Sequence, residues 1–292
     1  MSKTRLAILF SIILIMLSTP GLAESVSIPF KNSTLHYTDT GKGERSLVLI
    51  HGWACDTSFW NPQITELSKT MRVIAIDLPG HGKSSLTKGP YMQKTFAEAV
   101  ATVMDSAGIK SATLGGHSMG ASVIRWVAHL YPKKVNGLII IDGALLPYPK
   151  TEAELEFWDK EIEQGFRKGF TGPDSEKYTV DFIDSLHGKM TPENLKVDIK
   201  HKMMATPAKV RTSSMINFLV KETWNLPQQE LPTMAVYAMS PDSPPNLNEM
   251  LESMFKGVEY TLFYGPGHFL MLERPQEINC MIRGFMKRHG LL

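Results

Sequence analysis

The chain is short of most features that would assign it to a special class. Only two cysteines, Cys55 and Cys280, occur in 292 residues, too few for a disulfide scaffold, and a body of this size builds its core without one. They read as separate thiols behaving like small apolar side chains, with a Cys55–Cys280 bond as the alternative. Neither sign of charge is in excess: 31 Lys and Arg stand against 29 Asp and Glu, a net of +2. That balance, without a long block of like charge, excludes the basic footprint of a nucleic-acid-binding protein. No two histidines stand at ligand spacing on one helix, so no metal site is expected, and nothing calls for an organic cofactor. Repeats and low-complexity segments are missing. Also missing is an uninterrupted apolar run of the roughly 20 residues that a membrane span requires.

What the amino terminus does hold is "MSKTRLAILFSIILIMLSTPGLAES". Lys3 and Arg5 precede an apolar run from Leu6 to Leu17, followed by Pro20, Gly21 and the small Ala23. This three-part order is that of a secretory signal. It predicts a leader over 1–23 and a periplasmic or secreted mature chain, without a stable span after cleavage. The competing reading is a retained anchor, but the apolar run is short for one. With 43% hydrophobic and 21% charged residues, the rest fits an ordinary globular protein with one sizeable core.

Beyond the leader, short β-branched runs alternate with longer amphipathic ones. "VSIPF" and "LHYTD" read as a hairpin, and "SLVLI", "RVIAI", "SATLG", "GLIII", "TMAVYA" and "YTLFY" read as further strands. Runs that are apolar on both faces suit a buried parallel sheet covered by helices on either side. Helix starts are signalled by Thr95 with Glu98, a capping-box pair, and by Thr191-Pro192-Glu193. From about Thr151 to Trp224 no strand is expected, whereas Leu155, Trp158, Ile162 and Phe166 recur at helical spacing. This predicts a helical insertion in an α/β fold.

Ser118 stands between "SATLG" and the helical "GASVIRWVAHL", inside Gly116-His117-Ser118-Met119-Gly120. A strand-to-helix turn there needs strained backbone angles, and flanking glycines let strand and helix pass closely. The turn also lies at a helix start, where free N–H groups favour developing negative charge. Alone, G-x-S-x-G arises by chance in roughly one chain in ten of this length. Context carries it, because "LVLIHGW" supplies a second strand ending in a loop able to donate another N–H.

With "HGW", "IDLPGHGKS", "GGHSMGA" and "YGPGHFLMLERPQE" in this order, the sequence resembles the α/β-hydrolase superfamily, in particular its esterase-like members with a helical cap. The resemblance covers nearly all of the mature chain. It implies a mostly parallel eight-stranded sheet, a core over 24–145 and 227–292, and a cap over 146–226. It also implies a chain order of serine, acid, histidine, which makes Ser118 the nucleophile and His268, directly after the last strand, the base. The expected acid is Asp242 in "AVYAMSPDSPP", although Ala238-Met239-Ser240-Pro241 stands where relatives often carry a glycine and a short turn. Asp142, at the end of "GLIII", is the alternative, a position used in some relatives. Trp53 and Met119 are expected to offer the oxyanion-binding N–H groups. His51, His81 and His117 precede the serine and are expected to make loop hydrogen bonds, and Asp77 to tie its own turn together.

The resulting expectation is an exported serine esterase acting on small or medium carboxylic esters, with a small-molecule ester as its only implied partner. The same triad would also serve C–C or amide hydrolysis, perhydrolysis or acyl transfer, and a binding protein on this fold is a third reading. Aspartate-nucleophile chemistry is disfavoured because residue 118 is serine. Oligomeric state is not written in the sequence.

Overall fold

The computed structural model describes residues 24–239 and 246–292; the leader expected over 1–23 and the expected acid Asp242 lie outside the described residues. Eight strands are present among those described: β1 (Glu24–Phe30), β2 (Ser33–Thr40), β3 (Ser46–Ile50), β4 (Arg72–Asp77), β5 (Ala112–His117), β6 (Val135–Ile141), β7 (Thr233–Met239) and β8 (Glu259–Tyr264). They form one sheet in the order β1-β2-β4-β3-β5-β6-β7-β8. β1 and β2 form the expected hairpin, β2 is antiparallel to β4, and every pairing from β4 onward is parallel.

β3 and β5 are buried along their whole length, and β4 and β6 at all but one residue each, as runs apolar on both faces require; Leu47, Val48, Leu49 and Ile50 have no exposed surface, and neither do Leu138, Ile139, Ile140 and Ile141. Gln93–Ser106 packs beside Met119–Leu130, and Asn61–Leu67 beside Pro275–Arg288, giving the two helical layers that cover the sheet. No helix among the described residues is long and apolar enough to cross a membrane.

Between β6 and β7 the chain is helical, with Glu152–Phe157, Arg167–Thr171, Ser175–Ser185, Glu193–Ala205 and Ala208–Phe218 in sequence. Trp158–Phe166 forms a π-helical stretch, so the pattern of Trp158, Ile162 and Phe166 is carried by a wider turn than the α-helix expected. Hydrogen bonds dock this segment on the loop after β3 and on the helix Met119–Leu130: Trp53 Nε1 donates to the carbonyl of Arg211 (2.8 Å), Thr206 Oγ1 to that of Ala54 (2.9 Å) and Trp126 Nε1 to that of Thr223 (3.0 Å).

Two helix starts differ from expectation. The first helix after β4's long loop opens at Gln93 with Met92 as its cap, so the Thr95–Glu98 pair lies inside it, and Glu98 instead meets Lys31 at 2.7 Å. Burial of Tyr91 and Phe96 sets the start here. At Glu193 the helix begins as expected, yet the Thr191 hydroxyl donates to Glu273 (2.8 Å) rather than capping it.

Candidate active site

β5 runs into Ser118, and the helix Met119–Leu130 starts at the next residue. Ser118 turns the chain at φ 51° and ψ −121°, a conformation that costs a residue with a side chain about 1–3 kcal/mol. The surroundings enforce it. A Cβ on Gly116 would stand 2.5 Å from the backbone of Gly120, and one on Gly120 would stand 2.4 Å from the Ile50 carbonyl oxygen. Strand and helix therefore meet at backbone distance, which no other residue pair would permit. The Ser118 N–H donates to the Ile141 carbonyl (3.2 Å), and its own carbonyl accepts from Ala121 (3.0 Å) and Ala144 (3.1 Å). With the backbone so engaged, the half-buried side chain faces a cavity of about 210 Å³.

His268 follows β8 and lines the same cavity. Its Nδ1 lies 2.6 Å from Asp142 Oδ2, a distance that fixes the proton on Nδ1 and leaves Nε2 as the free nitrogen. Asp142 is itself held from two sides. Its N–H donates to the Val236 carbonyl at 2.7 Å, and its Oδ1 accepts the Ala238 N–H at 2.7 Å. The carboxylate thus bridges the ends of β6 and β7 and points at the imidazole. Asp142, the alternative acid of the sequence, occupies the Nδ1 side of His268. β6 ends directly in Asp142, whose φ of 44° swings the side chain over the sheet edge, a turn that aspartate tolerates better than most residues.

His268 is anchored from the helical segment as well. The His268 N–H donates to the Leu186 carbonyl (2.9 Å), and the carbonyl of His268 accepts from His117 Nε2 (3.0 Å). Gly188 and Gly267 touch so closely that a Cβ on either would meet the other's backbone N at 2.4 or 2.2 Å. Glu273 completes this strap by accepting from the Gly267 N–H (2.9 Å) and from Thr191 Oγ1 (2.8 Å). Sequence reasoning missed the strap, since most of it is backbone; the glycine pair was the one readable sign.

Trp53 and Met119 line the cavity with Ser118. Met119 opens a helix, so its N–H has no acceptor within that helix. A Cβ on Gly52 would lie 3.0 Å from the Ser118 Cβ, which sets the backbone entering Trp53 directly beside the serine. Ser118 Oγ and His268 share the cavity without a mutual hydrogen bond, a link that commonly tightens only when substrate is bound.

The three remaining loop histidines make backbone contacts. His51 Nδ1 donates to the Gly52 carbonyl (2.8 Å) and its Nε2 accepts the Leu78 N–H (3.0 Å); His81 Nδ1 donates to the Pro79 carbonyl (3.1 Å). Burial holds His51 below its ordinary 6.5, pushes His81 down to about 3, and holds His117 well below 6.5. Once unfolded, each ring protonates near 6.5, so below that pH the unfolded chain binds more protons. The stability these rings contribute is therefore full above about pH 6.5 and is lost as pH falls through each ring's folded value, which for His81 is about 3. Urea midpoints should stay flat above about pH 7 and drop steeply below 6; a midpoint unchanged between pH 7 and about 4.5 would contradict this.

A second serine–histidine–aspartate chain shows why residue types alone do not make a site. Ser25 Oγ lies 2.8 Å from His36 Nε2, and His36 Nδ1 lies 2.7 Å from Asp77 Oδ2. Asp77 also accepts the N–H groups of Thr57 (2.7 Å) and Lys83 (2.9 Å). Burial alone would raise this carboxyl, but the His36 bond, the His51 ring and the two N–H groups hold it below its usual range. Ser25 sits on a regular edge strand paired with β2, with no helix start beneath it. This chain braces β1, β2 and β4, while the Lys83 N–H bond ties Asp77 into its own turn, as expected.

The cavity walls are otherwise apolar, drawn from Leu146, Ile162, Phe166, Phe182, Met203 and Met215 among others. Cys55 also lines it and is unpaired, as is the exposed Cys280. No group of three His, Cys, Asp or Glu side chains suited to a metal occurs among the described residues.

A strained serine elbow, a histidine–carboxylate pair and an eight-stranded, mostly parallel sheet between helical layers together define an α/β-hydrolase. Residues 45–275 match the family model of the alpha/beta hydrolase fold, and the chain belongs to that family. It is 34% identical over 125 residues to an (E)-2-((N-methylformamido)methylene)succinate hydrolase of Acinetobacter baylyi, covering 43% of this chain and 46% of that protein. It is 35% identical over 111 residues to a pimeloyl-[acyl-carrier protein] methyl ester esterase of Pseudoalteromonas atlantica, covering 38% and 41%. The matched stretch thus spans less than half the length of these curated relatives. Among solved structures, a thermophilic esterase from Thermogutta terrifontis superposes with a TM-score of 0.72 at 22% identity, over 92% of this chain and 99% of that one, a likeness of fold.

Proposed function

We propose that the chain is an exported serine hydrolase that cleaves small or medium carboxylic esters through an acyl-serine intermediate. The observation that carries this reading is the 2.6 Å pair of His268 and Asp142 beside a strained serine at the mouth of an apolar cavity. The esterase and hydrolase relatives support it, and the leader pattern over 1–23 supports export. Asp142 takes the role first expected of Asp242, and residues 146–226 act as a cap.

In this mechanism Ser118 Oγ attacks the ester carbonyl while His268 Nε2 takes its proton, and Asp142 steadies the imidazolium. The N–H groups of Met119 and Trp53 hold the oxyanion. Collapse expels the alcohol, which leaves with the proton from His268. Water, deprotonated by His268, then attacks the acyl-serine; the acid departs and Ser118 recovers its proton. A fluorophosphonate probe tests the nucleophile directly: the wild type should gain one covalent adduct by mass spectrometry, and Ser118→Ala none. Equal labelling of both would place the reactive group elsewhere.

A further inference from the structure

The cavity beside Ser118 has an apolar neighbour. A second cavity of about 220 Å³ lies against Gly143, Leu145, Tyr237, Leu247 and Met250, and both cavities are walled by Ala144, Leu146 and Phe218. We infer that Phe218 is the partition that limits acyl-chain length, and that the substrates are esters of uncharged aliphatic acids that fit in front of it. The inference rests on the esterase reading above and adds a substrate class and a specificity-determining residue to it.

Phe218 is suited to be a wall. It ends the helix Ala208–Phe218, is 8% exposed, and stands edge-on against Trp224 with ring centroids 4.9 Å apart. Its carbonyl also accepts the Trp224 Nε1–H at 3.1 Å. The ring is therefore backed by a rigid neighbour, unlike the adaptable methionines elsewhere in the lining.

The front cavity of about 210 Å³ matches a chain of about eight carbons, at roughly 25 Å³ for each methylene packed at interior density. Among the described residues its lining includes no lysine or arginine, and its only ionisable side chains are His117, His268 and the buried thiol of Cys55. A carboxylate at the far end of the acyl chain would be buried there unpaired, which is strongly unfavourable. Behind Phe218 the described walls stay apolar, and the one phenol among them, that of Tyr237, is engaged with the Gly143 carbonyl at 3.1 Å. Removing the ring would join two greasy spaces of similar size.

The test is a series of p-nitrophenyl esters from acetate to palmitate, read as relative kcat/KM. For the wild type, kcat/KM should climb about four-fold per added methylene as far as octanoate and then fall. The p-nitrophenyl half-ester of suberic acid, of equal length but ending in a carboxylate, should be at least about a hundred-fold poorer than octanoate. Phe218→Ala should carry the climb on to laurate and myristate, and adding Leu247→Trp to that variant should restore the octanoate limit by refilling the rear space. Phe218→Leu, which keeps more of the packing on Trp224, should move the limit the same way by fewer carbons, so the partition can be judged even if Phe218→Ala fails to fold.

A wild-type profile that rises unbroken past laurate would overturn the inference. So would an unchanged limit in folded Phe218→Leu, or a suberate half-ester as good as octanoate. A wild type that turns over no ester and takes no fluorophosphonate fails differently: the serine-hydrolase reading falls and takes this inference with it.

Discussion

Turnover by Ser118→Ala is expected to fall on the order of a million-fold, with His268→Ala losing about as much and the double variant no more than either. The reason is that hydroxyl and imidazole act as one unit, since neither contributes its full effect without the other. Folding should survive the serine change. The strain at φ 51° is set by Gly116, Gly120 and the Ile50 carbonyl, and alanine meets those constraints as serine does. Active-site titration followed by initial rates on a p-nitrophenyl ester measures the loss, and residual activity above about one per cent would mean that another residue attacks.

Asp142→Asn should cost about ten-thousand-fold in kcat, while Asp242→Asn stays within a few-fold of wild type. An asparagine amide facing His268 would donate toward Nδ1, driving the proton to Nε2, where the ring can no longer accept one from Ser118. The Ala238 N–H can still find the asparagine carbonyl oxygen, so the β6–β7 bridge of 2.7 Å is kept and the loss is one of protonation state rather than of folding. Thermal melts of both variants alongside the kinetics separate the two causes. The reverse result, a silent Asp142→Asn and a crippled Asp242→Asn, would return the acid to the loop after β7.

The sheet was legible in the sequence because buried strands advertise themselves: "SLVLI" and "GLIII" have no polar face, and only a parallel interior suits them. The serine was legible for a similar reason, since glycines at 116 and 120 around a strand-to-helix junction have few other uses. The acid was harder. Asp142 and Asp242 both follow strands that border one another, and only the folded arrangement brings the end of β6 to the His268 ring and shows Asp142 reaching it. Local signals misled where tertiary packing overruled them, as at Thr95, whose capping pattern lies inside a helix begun by Met92. The strap on His268 was illegible because its key acceptor is the Leu186 carbonyl, and every residue has a carbonyl.

That strap ties His268, the proposed base, to the roof of its own chamber. His268 hangs from the Leu186 carbonyl on one side and from Asp142 on the other, with Gly188 wedged against Gly267. On the proposed mechanism, raising the roof at this corner would tilt the imidazole away from the serine, so substrate is expected to enter and leave on the far side.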